Sequence, residues 1–107
     1  LDVEAQRHGL VLLCQVLRKG KEEASAAAAA GAAELVIQAL NGHVANADIQ
    51  RWGAASLCDL AAVSSPVLCV LKAPASLLSA MRCHPHAPEV QRWCLSALRA
   101  TIEASGE

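Results

Sequence analysis

The stretch DIQRWGAASLCDLA, residues 48–61, returns in looser form as EVQRWCLSALRATI, residues 89–102. Self-similarity at a fixed period marks a fold built by stacking one unit, and it takes precedence over residue-by-residue assignment. Shifted by 41 positions, Ala24–Ser64 lies on Ser65–Ser105 without a gap. Gln50-Arg51-Trp52 then falls on Gln91-Arg92-Trp93. Ala32 meets Ala73, Ala39 meets Ala80, His43 meets His84 and Leu57 meets Leu98. Conservative pairs fill the space between: Val36 with Leu77, Ile37 with Leu78, Leu40 with Met81, Ile49 with Val90. A partial copy opens the chain. Shifted by 44, Gln6-Arg7 meets Gln50-Arg51, Gly9 meets Gly53, and Leu13-Cys14 meets Leu57-Cys58.

Periodicity inside the unit is helical. Gly31 and the aligned Lys72-Ala73-Pro74 separate a short first helix from a second, with Pro74 as a start signal. The second helix covers roughly Ala32–Leu40 and Pro74–Met81, with Asn41-Gly42 as its end. Pro85 and Pro88 break the chain at the same place one repeat later. The third helix starts at Ala47 or Asp48 and carries Ile49, Gly53, Ser56, Leu57 and Leu60 on one stripe. Its copies are Val90, Cys94, Ala97, Leu98 and Thr101 near the end, and Ala5, Gly9, Leu12, Leu13 and Val16 at the start. Gly9, Gly53 and Cys94 share one column, where a neighbouring helix comes closest. No single copy can bury such a stripe alone, so the copies must stack. The chain therefore reads as one domain, 1–107: residues 1–20 are the third helix of a partial repeat, and 21–64 and 65–107 are two full repeats.

Composition narrows the function. Of the 107 residues 54% are hydrophobic, with no Phe or Tyr, so the core is Leu, Val, Ile and Ala. The net charge of −1, with scattered Lys and Arg, argues against nucleic acid as a partner. No apolar run reaches membrane-spanning length, and no leader pattern is present. The chain begins at Leu1 without a Met and reads as a fragment of a longer protein. Cys14, Cys58, Cys69, Cys83 and Cys94 are odd in number and match no disulfide or zinc framework. They read as reduced thiols, most of them packed in helices, and so as an intracellular protein, cytoplasmic or nuclear. Cys83-His84-Pro85-His86 is the one metal-like cluster, but no second cluster follows to complete four ligands. No phosphate loop, nucleophile elbow or paired-carboxylate motif appears, so no enzyme activity, cofactor or metal is expected.

The segment Gly31 to Leu40, followed by Asp48 to Ala61, resembles an armadillo repeat. Gly31, Leu35-Val36, Leu40, Ile49-Gln50, Gly53 and Leu57-x-x-Leu60 match that family's pattern. The last copy matches at Leu77-Leu78, Met81, Val90-Gln91 and Leu98. The resemblance implies an all-α, right-handed α-solenoid of three-helix repeats, about two full repeats plus one preceding helix. HEAT repeats share much of the pattern. It further implies a protein-interaction scaffold, whose third helices line a concave groove for a partner peptide or protein. The family's best-known groove uses an Asn ladder. That position here holds Gln15, Asp59 and Ala100, and the accompanying Trp position holds Ala55 and Ser96. Basic-peptide binding of the nuclear-import kind is therefore not expected.

On that reading the partner-binding candidates are Arg51, Trp52, Ala55 and Asp59, with Arg92, Trp93 and Ser96 one repeat on, and His8, Val11 and Gln15 before them. Trp and Arg are enriched at binding hot spots. The competing expectation is that each Trp packs between adjacent third helices and each Arg pairs with Asp48 or Glu89. A second functional reading is a regulatory or dimerisation segment of a larger enzyme, such as a signalling kinase. Unpaired apolar ends also make self-association an expectation.

Overall fold

Alanine, leucine and unbranched polar side chains lose little freedom in a helix, and they dominate this chain. The computed structural model describes residues 2–104, excepting the side chains of 65–70 and 104. Among the described residues there are six α-helices and no strand: α1 Val3–Leu17, α2 Lys21–Ala29, α3 Ala32–Gly42, α4 Ala47–Val70, α5 Ala73–Cys83 and α6 Pro88–Ala104. Cys69 and the end of the 65–107 segment lie outside the described side chains.

The helix boundaries have local causes. The Asp2 carboxylate accepts from the Glu4 N–H at 3.0 Å and caps α1. Asn46 does the same for α4, with its Oδ1 3.0 Å from the Ile49 N–H. The helical run of α4 is broken at Ser64, where φ is −148° and ψ 37°, so it divides into 47–63 and 65–70. Asn41 and Gly42 lie in the last turn of α3, not beyond it. Pro88 is the first residue of α6; instead of breaking the chain it opens a helix, where a missing N–H costs nothing.

Two aligned positions share an unusual backbone. Gly31 has φ 94° and Lys72, its counterpart 41 residues on, has φ 62°. Each takes the chain through a left-handed step into the next helix, α3 or α5. Glycine bears this conformation freely, whereas a residue with a Cβ pays about 1–2 kcal/mol. Gly31→Ala should therefore destabilise by about 1–2 kcal/mol. Lys72→Gly should stabilise slightly, by about 0.5 kcal/mol after glycine's larger chain entropy is subtracted. Urea melts of the two variants check the opposite signs.

The core lies where α4 packs between α1 and α6, with α3 seated against both α4 and α5. Val36, Leu40, Ile49, Leu57, Leu60, Leu77 and Val90 are all at most 2% exposed. Each such side chain contributes about 1.5–3 kcal/mol relative to remaining in water. The stripe expected on α4 is buried as read. On α1 the expectation needs correction. The buried residues there are Leu10, Cys14 and Leu17, whereas Leu12 and Val16 are 47% and 37% exposed, and Ala5 and Gly9 are exposed too. α1 turns toward α4 the face centred on Leu10 and Cys14, and no described helix covers the other.

Candidate functional site

Gln50 and Gln91, the first members of the repeated triplet, are structural. The Gln50 amide donates to the carbonyls of Leu40 and His43, at 3.0 and 2.9 Å. Gln91 donates to Met81 and His84 at the same two distances. Helix C-termini leave carbonyls without intrahelical partners. Each Gln thus ties the end of a second helix to the start of a third.

The Arg and Trp members of the triplet form a surface network across α1, α4 and α6. The Arg51 guanidinium sits 4.8 Å from the Trp52 ring centre. Its Nε lies 3.7 Å from the Glu89 carboxylate, which is also 3.8 Å from Arg92. Arg92 lies 5.3 Å from the Trp93 ring, and Arg18 lies 5.4 Å from that same ring. Arg18 then pairs with Asp59 at 3.3 Å. Contacts therefore run unbroken from Trp52 through Arg51, Glu89, Arg92, Trp93 and Arg18 to Asp59. Three guanidinium groups face two carboxylates, which leaves one excess positive charge. Both indoles are half-buried and pack on the core, with arginines beside the rings. Guanidinium–indole contacts of this kind contribute about 0.5–1 kcal/mol each at exposed sites, and exposed ion pairs no more.

The other candidates fall differently. Ala55 is 1% exposed, so it belongs to the helix packing and leaves the candidate surface. Ser96 and Val11 are half-buried. His8 and Gln15 are exposed on α1, and no hydrogen bond or ion pair ties them to the network. Among the described residues Asp48 makes no ion pair; Arg51 turns instead to Glu89 of the next repeat. Arg18, absent from the sequence candidates, is the residue that links α1 to the rest. It is the C-cap of α1, and its position beside Lys19-Gly20-Lys21 makes it read as part of a turn.

Of the remaining reactive groups, Cys83 and His86 are exposed, whereas His84, Cys14, Cys58 and Cys94 are wholly or partly buried. His84 places Nε2 2.8 Å from the Val44 carbonyl, joining the loops that precede α4 and α6. No group of three or more His, Cys, Asp or Glu among the described residues is placed to hold a metal ion. Cys14 lies 3.1 Å from the Ser56 hydroxyl and donates to the Trp52 carbonyl at 3.6 Å. Burial pushes the thiols of Cys14 and Cys58 above their ordinary value, and that of Cys94 up to about 11. All three are poor nucleophiles near neutral pH. No described helix is long and apolar enough to cross a membrane. No protein-family model, curated protein or solved structure matches the chain.

Proposed function

We propose that this chain is a segment of armadillo-type solenoid that binds a partner protein through the shared face of α1, α4 and α6. The observation that carries the reading is the Trp52-to-Asp59 network. It gathers side chains from three helices into one continuous strip of indole, guanidinium and carboxylate. Aromatic and arginine side chains held rigid by one another are the usual anchors of protein interfaces. The equivalent Gln50 and Gln91 caps and the left-handed steps at Gly31 and Lys72 support a repeat of three helices. The ladder is built from Arg and Trp, so the partner is expected to present carboxylates and flat apolar groups, not the basic side chains that suit an Asn ladder.

The double variant Arg18→Ala/Arg92→Ala tests the reading. The two side chains are 49% and 68% exposed, so losing their two ring contacts and two ion pairs should cost about 1–3 kcal/mol and leave the chain folded. A photo-crosslinking residue at Leu95, which is 55% exposed beside this face, should trap a protein that the double variant loses. The same crosslink in both proteins, or one obtained equally from Glu34 on α3, overturns the assignment.

A further inference from the structure

Each third helix carries an acidic residue one turn before its arginine: Glu4 before Arg7, Asp48 before Arg51 and Glu89 before Arg92. Residues so spaced are neighbours on a helix surface. Glu4 reaches Arg7 at 3.3 Å, and Glu89 comes to 3.8 Å from Arg92. Asp48 is shorter by a methylene and makes no such pair among the described residues. Arg51 leans instead on Trp52 and on Glu89 of the following third helix.

Glu89 thus serves two guanidinium groups and satisfies neither. Its oxygens stand 3.7 Å from Arg51 and 3.8 Å from Arg92, beyond the reach of an N–H···O bond. The Arg51 Nε is buried, yet no acceptor among the described residues hydrogen-bonds it. Leaving a buried charged donor in that state is costly, so any rearrangement that brings Glu89 onto it is favoured. What holds Glu89 back is its second duty, to Arg92. The other end of the strip differs. Arg18 donates its Nε–H to Asp59 at 3.3 Å, so that pair is closed within the chain. The surplus positive charge of the strip therefore sits on Arg51 and Arg92, whose side chains are 38% and 68% exposed.

We infer that Arg92 is the subsite for one carboxylate, an Asp or Glu side chain of the partner protein. That carboxylate takes the Arg92 fork in the two-bond geometry such pairs favour, and Glu89 closes on the Arg51 Nε. Charge decides which anion belongs there. Two guanidinium groups and Glu89 leave one positive charge, which a carboxylate cancels. A phosphorylated side chain carries about −1.5 to −2 and overshoots. The subsite rests on the partner-binding face proposed above. It divides that face into an Arg18–Asp59 end that fastens α1 to α4 and an Arg51–Arg92 end that reads the partner.

The probe is the capped dipeptide acetyl-Glu-Leu-amide, with acetyl-Gln-Leu-amide as the neutral control and acetyl-phosphoserine-Leu-amide as the dianion. In NMR titrations at constant ionic strength, the Glu dipeptide should move the Arg92 and Arg51 Nε–H signals saturably, and the Gln dipeptide should not. Arg92→Gln removes the competitor for Glu89. In that variant the Arg51 signal should already lie where the peptide drives it, and the peptide should no longer move it. Asp48→Glu gives Arg51 the partner that Arg7 has, at unchanged net charge, and frees Glu89 for Arg92; it should weaken binding about twofold. Equal shifts at Arg82 and Arg99, or an Arg51 signal unmoved by Arg92→Gln, overturn the proposal. So does a phosphoserine dipeptide that binds more tightly than the Glu one. The subsite and the face fail separately. A Leu95 crosslink lost in Arg18→Ala/Arg92→Ala, without these shifts, sinks the subsite and leaves the face; a crosslink indifferent to that double variant sinks the face.

Discussion

Gln50→Ala is expected to cost the fold about 3 kcal/mol, lowering the melting temperature by about 10–20 °C. Gln50 is fully buried, and its amide serves the Leu40 and His43 carbonyls at once. His43 keeps a second donor, the Asn46 N–H at 2.9 Å, but no other donor to the Leu40 carbonyl accompanies Gln50. The variant leaves that carbonyl buried without a partner, which costs about 1–3 kcal/mol. It also opens a cavity the size of the deleted side chain, which adds to the loss. Gln91 makes the same two bonds but is only half-buried, so water can replace its amide. Gln91→Ala should therefore cost about 1–2 kcal/mol. Gln6→Ala, at the third copy of the position, should cost close to nothing. Thermal and urea melts of the three variants give the order, and equal losses at Gln50 and Gln91 would show that burial does not set the cost.

That graded series bears on how far the sequence could be read. The helices and their order were legible because their signals are local or strictly periodic. Gly31, Pro74 and the stripe from Ile49 to Leu60 each declare themselves within one turn or one repeat. The partners of a repeated residue were not legible. Gln50 reaches carbonyls seven and ten residues earlier, at the end of another helix, and nothing in a triplet of letters encodes that reach. The α1 stripe failed for a related reason. Ala5, Gly9, Leu12 and Val16 keep the repeated pattern, but a pattern states which face is apolar and not which neighbour is present to cover it. In the candidate strip the arginines and tryptophans were found because they repeat. Arg18 was missed because it does not. Ala55 was misplaced because its offset from Asp59 was taken from the groove of the family the sequence resembles, and here that position is buried in the helix packing.

The pairing of Gly53 with Leu40 offers the sharper test of how closely the helices must meet. Gly53→Leu is expected to destabilise by about 3 kcal/mol or more. A Cβ there would stand 2.6 Å from Leu40 Cδ2 and 3.0 Å from its Cγ. Leu40 is 1% exposed and has no free volume to enter, so either the side chain leaves its rotamer or α3 moves away from α4. Moving α3 also lengthens the Gln50 caps, which ties this variant to the first prediction. Against these losses stands a helix-propensity gain of about 1 kcal/mol on replacing glycine. At Gly9 that gain is unopposed, because a Cβ meets nothing within 4 Å. Gly9→Leu should therefore leave stability unchanged or raise it by up to about 1 kcal/mol. The last repeat carries Cys94 and Met81 in these two columns, a larger residue facing a more pliable one. Trimming the opposing side chain should accordingly relieve the clash. Leu40→Ala alone should cost about 2–5 kcal/mol, and the double variant Gly53→Leu/Leu40→Ala should be more stable than the sum of the two by at least about 1 kcal/mol. Strict additivity in that cycle would mean that Gly53 is required for its backbone and not for the room it gives Leu40.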